Sequence, residues 1–234
     1  MVIDAVTWFA EADMLRVRLA MLDGLVDRFV VVEADRTHTG LPKPWALPED
    51  VQAHPKVVYW RVTLTAQSEW GRENEQRRAM RDAVASLNPD PDTTVVMSDC
   101  DEIWDGRLLG RDGIRVAAMD FRIFSVWWQY GVGWRGSIAG PWSAMQTADW
   151  QTLRDYRTLH PPVESGWHLS WMGDLDSLRR KQQAFAHAEL AGHDLIGPVA
   201  EGRWLDGRTM RETDGLPDRL VDLAPEDWKR RRVS

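Results

Sequence analysis

The sequence predicts an α/β protein with a mostly parallel central sheet and flanking helices. Three observations carry that expectation. Apolar, β-rich runs recur at Val2–Phe9, Val26–Glu33, Lys56–Val62 and Thr93–Ser98. Helix-like stretches lie between the first pair of runs and between the last pair, an alternation that favours parallel strands joined by crossovers. The second run ends in acid at Glu33 and the fourth at Asp99, and parallel strands would bring both ends to one sheet edge.

Each element has its own signal. Val2 to Phe9 alternates loosely and carries β-formers. Glu11 to Leu22 places Met14, Leu15, Leu19 and Leu22 at helical spacing, and Gly24 is a natural stop. Phe29-Val30-Val31-Val32 reads as a buried strand. Thr37 to Pro44 is a loop by its Gly and Pro content. Glu69 to Leu87 is a polar, Arg-rich helix ended by Asn88-Pro89. The second half is less regular. Ala117 to Phe124 reads as a strand, and Trp127 to Trp142 as a long loop or hairpin. Gly166 to Trp171 reads as a short strand and Asp176 to Leu190 as a helix. The chain divides into a regular half, residues 1–105, and a less regular half, residues 106–234. Together they form a single domain, and no internal repeat or linker interrupts them.

The bulk numbers narrow the function classes. A formal net charge of −7 argues against a general nucleic-acid binder. The single cysteine, Cys100, excludes an internal disulfide and suits a reducing compartment. The N-terminus shows no basic, apolar leader, and no run is long enough for a membrane span. A cytoplasmic location, without a membrane partner, is therefore expected. The 14 Trp against 3 Tyr and 5 Phe form a surplus that suits stacking on sugar rings or bases; packing is the alternative for each one singly.

The stretch Ser98-Asp99-Cys100-Asp101-Glu102-Ile103 puts three carboxylates within four residues at the end of a buried strand. Like charges so placed repel unless a cation sits among them. Hard oxygen ligands at such a strand tip point to Mn²⁺ or Mg²⁺ and to an anionic ligand such as a diphosphate. A solvated acidic loop is the other reading of the same residues.

Four stretches, in order, are familiar. They are Phe9–Lys43, with Asp13-Met14-Leu15-Arg16-Val17-Arg18-Leu19, Phe29–Ala34, Thr39-Gly40 and Pro42-Lys43-Pro44; Ser98–Ile103; Gly166-Trp167-His168-Leu169-Ser170-Trp171, with Lys181 beyond; and Gly202–Gly207. Through them the chain resembles glycosyltransferase family 17, the family of the β-1,4-mannosyl-glycoprotein N-acetylglucosaminyltransferase that adds bisecting GlcNAc. The resemblance implies a glycosyltransferase-A-like fold, a divalent metal, a UDP-sugar donor (UDP-GlcNAc by that likeness) and inversion at the anomeric carbon. Two features depart from the animal enzymes: the chain is short, and Leu169 follows the histidine where they have cysteine. These leave donor sugar and acceptor open. A glycan, a protein or a modified nucleic-acid base would each serve, and a bacterial or phage enzyme is expected.

Roles follow for individual residues. Asp101 is expected to contact the metal, and Asp99 to reach the ribose, the metal or a metal-bound water. Glu102 would orient them, or favour a helix N-terminus. His168 suits a third ligand position, with His187 a weaker alternative. Glu33 could hold the uracil or ribose edge. Arg77 and Lys181 are candidate diphosphate partners, Arg77 through its planar guanidinium. An inverting transfer needs one general base, for which Asp176 is preferred and Asp174 second; either could instead cap a helix. Trp127, Trp128, Trp134 and Trp142 are candidate acceptor platforms. Two other functions remain to be separated, a nucleotidyltransferase and a non-catalytic sugar-binding protein of the same fold.

Overall fold

The structure is a computed structural model and describes residues 1–110, 113–131, 133–184, 203 and 209–229. The first half is close to what the patterning predicts. Strand β1 spans Val2–Trp8, helix α1 Ala12–Leu22, β2 Arg28–Ala34, the short α2 Glu49–Gln52, β3 Val57–Val62, α3 Glu69–Ala85 and β4 Thr94–Asp99. β1 lies between β2 and β4, and β3 extends the other side of β2, all parallel. Trp8 stands opposite Glu33, and Thr7 opposite Asp99, so the two acidic strand ends share one edge.

Alternation along the strands sorts the core into two layers. Ile3, Ala5, Val30 and Val32 pack with Met80, Ala83 and Val84 of α3. Val6, Trp8, Phe29 and Val31 pack on the opposite face with Met14, Leu15 and Leu22 of α1. A sheet covered by helices on both faces explains why these strands read as continuous apolar runs. Helix α3 is apolar toward the core only in its second half. Its first half turns Arg72, Gln76 and Arg77 inward, all buried, and this is why its sequence reads as polar throughout.

The second half departs from the expected loop. Strand β5 is Glu102–Ile103, β6 is Arg115–Ile123, β7 is Trp128–Gln129 and β8 is Trp134–Pro141. Residues 134–141, expected as loop or hairpin, form a buried strand that pairs antiparallel with both β4 and β6. Next come the short helices α4, Trp142–Met145, and α5, Trp150–Asp155. β9 is Pro162–Ser170, α6 Leu175–Ala184, β10 Arg211–Glu212 and α7 Asp218–Leu223. Among the described residues the strands make one sheet ordered β10-β7-β6-β8-β4-β1-β2-β3, with β9 beside β6 and β5 beside β9. The sheet is therefore mixed, and its parallel portion is chiefly the first half. Residues 185–190 of the expected last helix, His187 among them, and most of Gly202–Gly207 lie outside the described residues. Among the described residues no helix is long and apolar enough to cross a membrane.

Candidate functional site

The strand ends of β1, β2 and β4 open onto a cavity of about 640 Å³, closed on the far side by β6, β8, β9 and α5. Asp99 and Asp101 lie at its floor. The turn that carries them is held from beneath by Arg18 of α1, fully buried, whose Nη1 donates to the carbonyl oxygens of Asp99, Cys100 and Glu102 at 3.3, 3.4 and 2.5 Å. Asp4 of β1 fixes that guanidinium, accepting from Nε at 2.7 Å and from Nη2 at 2.6 Å. Trp104 Nε1 donates to the same Asp4 at 2.8 Å.

Each motif carboxylate is paired with cations, Arg154 being shared by Asp99 and Glu102. Asp99 accepts from Arg77 Nη2 at 3.0 Å and from Arg154 Nη2 at 2.5 Å. Burial pushes its pKa upward, but Arg154 and Arg77 outweigh burial and bring it down to about 2. Asp101 accepts from Lys181 Nζ at 3.0 Å, and its other oxygen stands 3.5 Å from His168 Nε2. Burial again acts upward on Asp101, and Lys181 and His168 together hold it below the usual carboxylate range. Glu102 is fully buried and does not line the cavity. It accepts from both Arg154 Nη atoms, at 3.0 and 2.6 Å, and from Trp134 Nε1 at 2.7 Å. Its part is to seat Arg154, which in turn seats Asp99.

β9 delivers the histidine. Its pairing with β6 slips between Ala118–Glu164 and Asp120–Trp167, a bulge centred on Ser165 and Gly166. Gly166 has φ +76, and a Cβ there would collide with the Ile103 carbonyl oxygen. The bulge re-aims the strand so that His168 faces Asp101. The imidazole packs against two aromatic rings that also touch each other, 4.5 Å from Phe121 and 4.4 Å from Trp134 by ring centroids. Among the described residues its Nδ1 is buried without a hydrogen-bond partner. Trp171, just beyond, lines the cavity with φ +55, a conformation rarely adopted by a bulky residue and one that collects at functional sites.

An Asp oxygen and an imidazole nitrogen 3.5 Å apart are too far for a good hydrogen bond. The carboxylate is a hard ligand suited to Mn²⁺ or Mg²⁺, and the imidazole adds a nitrogen donor that a transition ion such as Mn²⁺ accepts more readily than Mg²⁺. Among the described residues no third His, Cys, Asp or Glu joins them. The donor set therefore fits an ion that completes its shell with ligand oxygens and water, and Lys181 supplies positive charge at the second Asp101 oxygen.

The other sequence-derived candidates are distributed differently. Glu33 is fully buried and outside the cavity lining. It accepts from Lys43 Nζ at 2.5 Å, from the amides of Ala46 and Leu47 at 2.9 and 3.3 Å, and from the Tyr59 hydroxyl. A buried carboxylate with all those donors organises the loop after β2. Asp174 caps α6 by accepting from the Ser177 amide at 2.7 Å, and Asp176 is exposed and pairs with Arg179 at 2.8 Å. Neither lines the cavity. Trp128 and Trp142 are buried in the core and Trp127 is partly buried against it, whereas Trp134 is on the cavity wall. Arg77 and Lys181 also line the cavity.

Sequence reasoning passed over Glu11, Arg154, Asp155 and Arg157, all on the wall. Glu11 accepts from Lys181 Nζ at 2.7 Å, and burial raises its proton affinity. The three residues of α5 and its C-terminal turn had one faint signal. Asp149 caps α5 at Thr152, at 2.8 Å, an Asp-x-x-Thr start that a six-residue helix barely announces.

No curated protein matches the chain. Two of the solved structures that resemble it do so in fold alone. One is described as galactosyltransferase LgtC in complex with donor and acceptor sugar analogues, with 12% identity over 97% of this chain and 99% of that one and a TM-score of 0.36. The other is an active-site mutant of LgtC, with the same identity and coverage and a TM-score of 0.35. The profile of glycosyltransferase family 17 matches residues 1–199, and the chain belongs to that family.

Proposed function

We propose that this glycosyltransferase is metal-dependent and inverting, taking a sugar from a UDP-sugar and passing it to a hydroxyl acceptor. GlcNAc is the sugar favoured by the sequence likeness to the bisecting enzyme. Family membership sets aside the nucleotidyltransferase and the non-catalytic alternatives. One observation carries the proposal: the Asp99–Asp101 tip of β4 lies at the cavity floor, with His168 brought 3.5 Å from Asp101 by a different strand. The parallel order β3-β2-β1-β4, extended by antiparallel β8, supports a glycosyltransferase-A-like arrangement. In it residues 1–105 serve the nucleotide and the later strands the acceptor.

In this reading Asp101 and His168 would hold the ion, and Asp99 would reach the ribose or the ion's surroundings. An Mn²⁺ or Mg²⁺ ion held there would supply Lewis-acid stabilisation of the charge that develops on the departing diphosphate. Arg77 and Lys181 add protein cations beside it, already oriented by Asp99 and Asp101. Phe121, Tyr130, Trp134 and Trp171 give the acceptor-side wall its stacking surfaces. For proton removal from the acceptor hydroxyl, Asp176 and Asp174 would need α6 to turn toward the cavity. Asp155, already on the wall at the end of α5, is better placed to take that proton as the acceptor oxygen bonds to the anomeric carbon and UDP leaves.

The test is thermal unfolding with UDP and UDP-GlcNAc, each with and without Mn²⁺. A ligand bound only by the folded state raises the midpoint. A metal-dependent shift, lost in Asp101→Ala, is expected. No shift with any nucleotide under any divalent ion would overturn the reading.

A further inference from the structure

Five cations on the cavity wall are matched by a carboxylate. Arg77 and Arg154 meet Asp99 at 3.0 and 2.5 Å, Lys181 meets Asp101 at 3.0 Å, Lys43 meets Glu33 at 2.5 Å, and Arg36 meets Asp35 at 3.0 Å. Arg157 is different. Among the described residues it has no carboxylate within ion-pair distance, although it is partly buried and lines the same cavity. Burial and the adjacent Arg154 guanidinium lower its proton affinity, and the more distant Glu102 and Asp99 carboxylates only partly offset them.

The Arg157 head group is nevertheless fixed. Nε donates to the Arg135 carbonyl and Nη1 to the Arg154 carbonyl, both at 2.6 Å. The guanidinium carbon lies 5.4 Å from the centre of the Trp134 ring. Nη2 has no hydrogen-bond partner among the described residues. A partly desolvated cation next to another cation is costly unless an anion completes it. A guanidinium already held by two carbonyls and an aromatic ring loses little further freedom when it binds one.

We propose that Arg157 is an oxyanion-binding residue of the cavity, taking a phosphate or carboxylate oxygen of a substrate through its unpartnered Nη2. This rests on the transferase reading of the cavity. The oxyanion has two possible sources: the donor diphosphate, or an acidic group on the acceptor.

Isothermal titration of the parent, Arg157→Gln and Arg157→Lys with UDP, uridine, inorganic phosphate, glucuronate and glucose tests the proposal and separates the sources. Loss of a charge-assisted hydrogen bond should weaken oxyanion binding to Arg157→Gln about tenfold or more. Uridine and glucose, which lack the oxyanion, should bind all three proteins alike. Weakened UDP binding assigns the diphosphate, and weakened glucuronate binding assigns an acidic acceptor. Equal binding of UDP, phosphate and glucuronate to parent and Arg157→Gln overturns the proposal. Should Arg157→Gln fail to fold, Arg157→Lys keeps the charge without the planar fork. Weaker oxyanion binding then supports the proposal, and unchanged binding overturns it. A parent that binds neither uridine nor UDP defeats the transferase reading, while any Arg157-dependent binding of phosphate or glucuronate is scored separately.

Discussion

Arg18 and Asp4 form a fully buried ion pair, joined at 2.6 and 2.7 Å, and the spare edge of that guanidinium holds three carbonyls of the turn bearing Asp99 and Asp101. The site is thus anchored through β1 and α1, elements that contribute neither of its aspartates. Burying the two charges is repaid only while both remain and every donor is used. Removing one leaves the other without compensation.

Asp4→Ala is therefore expected to destabilise the fold by about 3–5 kcal/mol, read as a lower urea midpoint. The Asp4→Leu, Arg18→Met double variant should recover much of that loss, because no unpaired charge remains. It should still bind UDP poorly, since the turn carbonyls have lost their donor. A double variant as unstable as the sum of the single ones would show that the pair is not a unit.

Gly166 makes a second anchoring argument. Its φ of +76 and its contact with the Ile103 carbonyl leave no room for a side chain. Gly166→Ala should cost at least about 2 kcal/mol through backbone strain and collision. It should also shift His168 and weaken the Mn²⁺-dependent response to UDP more than the response to UDP without metal. An unchanged midpoint and an unchanged Mn²⁺ effect would mean that the bulge does not set the histidine.

Acid titration tests the arginine clamp on Asp99. A carboxylate whose folded pKa is depressed contributes stability above its unfolded value and loses it as pH falls through the folded one. For Asp99 that window runs from near pH 4 down to about 2. Its side chain is one-third exposed, so solvent screening limits the contribution to the order of 1 kcal/mol. Stability of the parent should fall more steeply than that of Asp99→Asn between pH 4 and 2. Parallel curves would remove the clamp from the stability balance.

The sequence made the first half of the sheet legible because its strands are buried on both faces and its helices intervene at regular spacing. Asp99 and Asp101 could be picked out on the same grounds, since charge stands out at the end of an apolar run, and Arg77 because it stands on an Arg-rich helix. β8 was hidden because Gly131, Gly133, Gly136 and Gly140 give its surroundings the look of a loop. Gly136 is instead a close-packing position: a Cβ would come 2.6 Å from Met119 Sδ and 3.0 Å from the Glu102 carboxyl carbon. Arg154 and Arg157 were hidden for another reason. α5 has only six residues, too few to show a period, and Arg154 on it and Arg157 in the turn beyond acquire meaning only when the fold sets them beside Asp99, Glu102 and Trp134. Glu33 misled in the opposite sense. An acidic strand end on the correct edge proved to be a buried tie for the loop holding Lys43, Ala46 and Leu47.

The same contrast decides which carboxylate should matter for turnover. Asp176 is exposed and engaged with Arg179 on the surface of α6, whereas Asp155 lies on the cavity wall and accepts from Gln151 Nε2 at 2.7 Å. Gln151 also accepts from Arg77 at 2.5 Å, so Asp155 is tied to the group that positions Asp99. A general base contributes about 10²–10⁴-fold to rate while adding little to donor affinity. Asp155→Asn should accordingly lower UDP release from the sugar donor, in the presence of acceptor, by about a hundredfold or more with UDP affinity unchanged. Asp176→Asn should leave both within about twofold, as expected for a residue of an exposed ion pair. The reverse ranking would place the base on α6 and require that helix to close over the cavity during turnover. A parallel loss of UDP affinity and rate in Asp155→Asn would instead make Asp155 a support for Arg77, with the proton taken elsewhere.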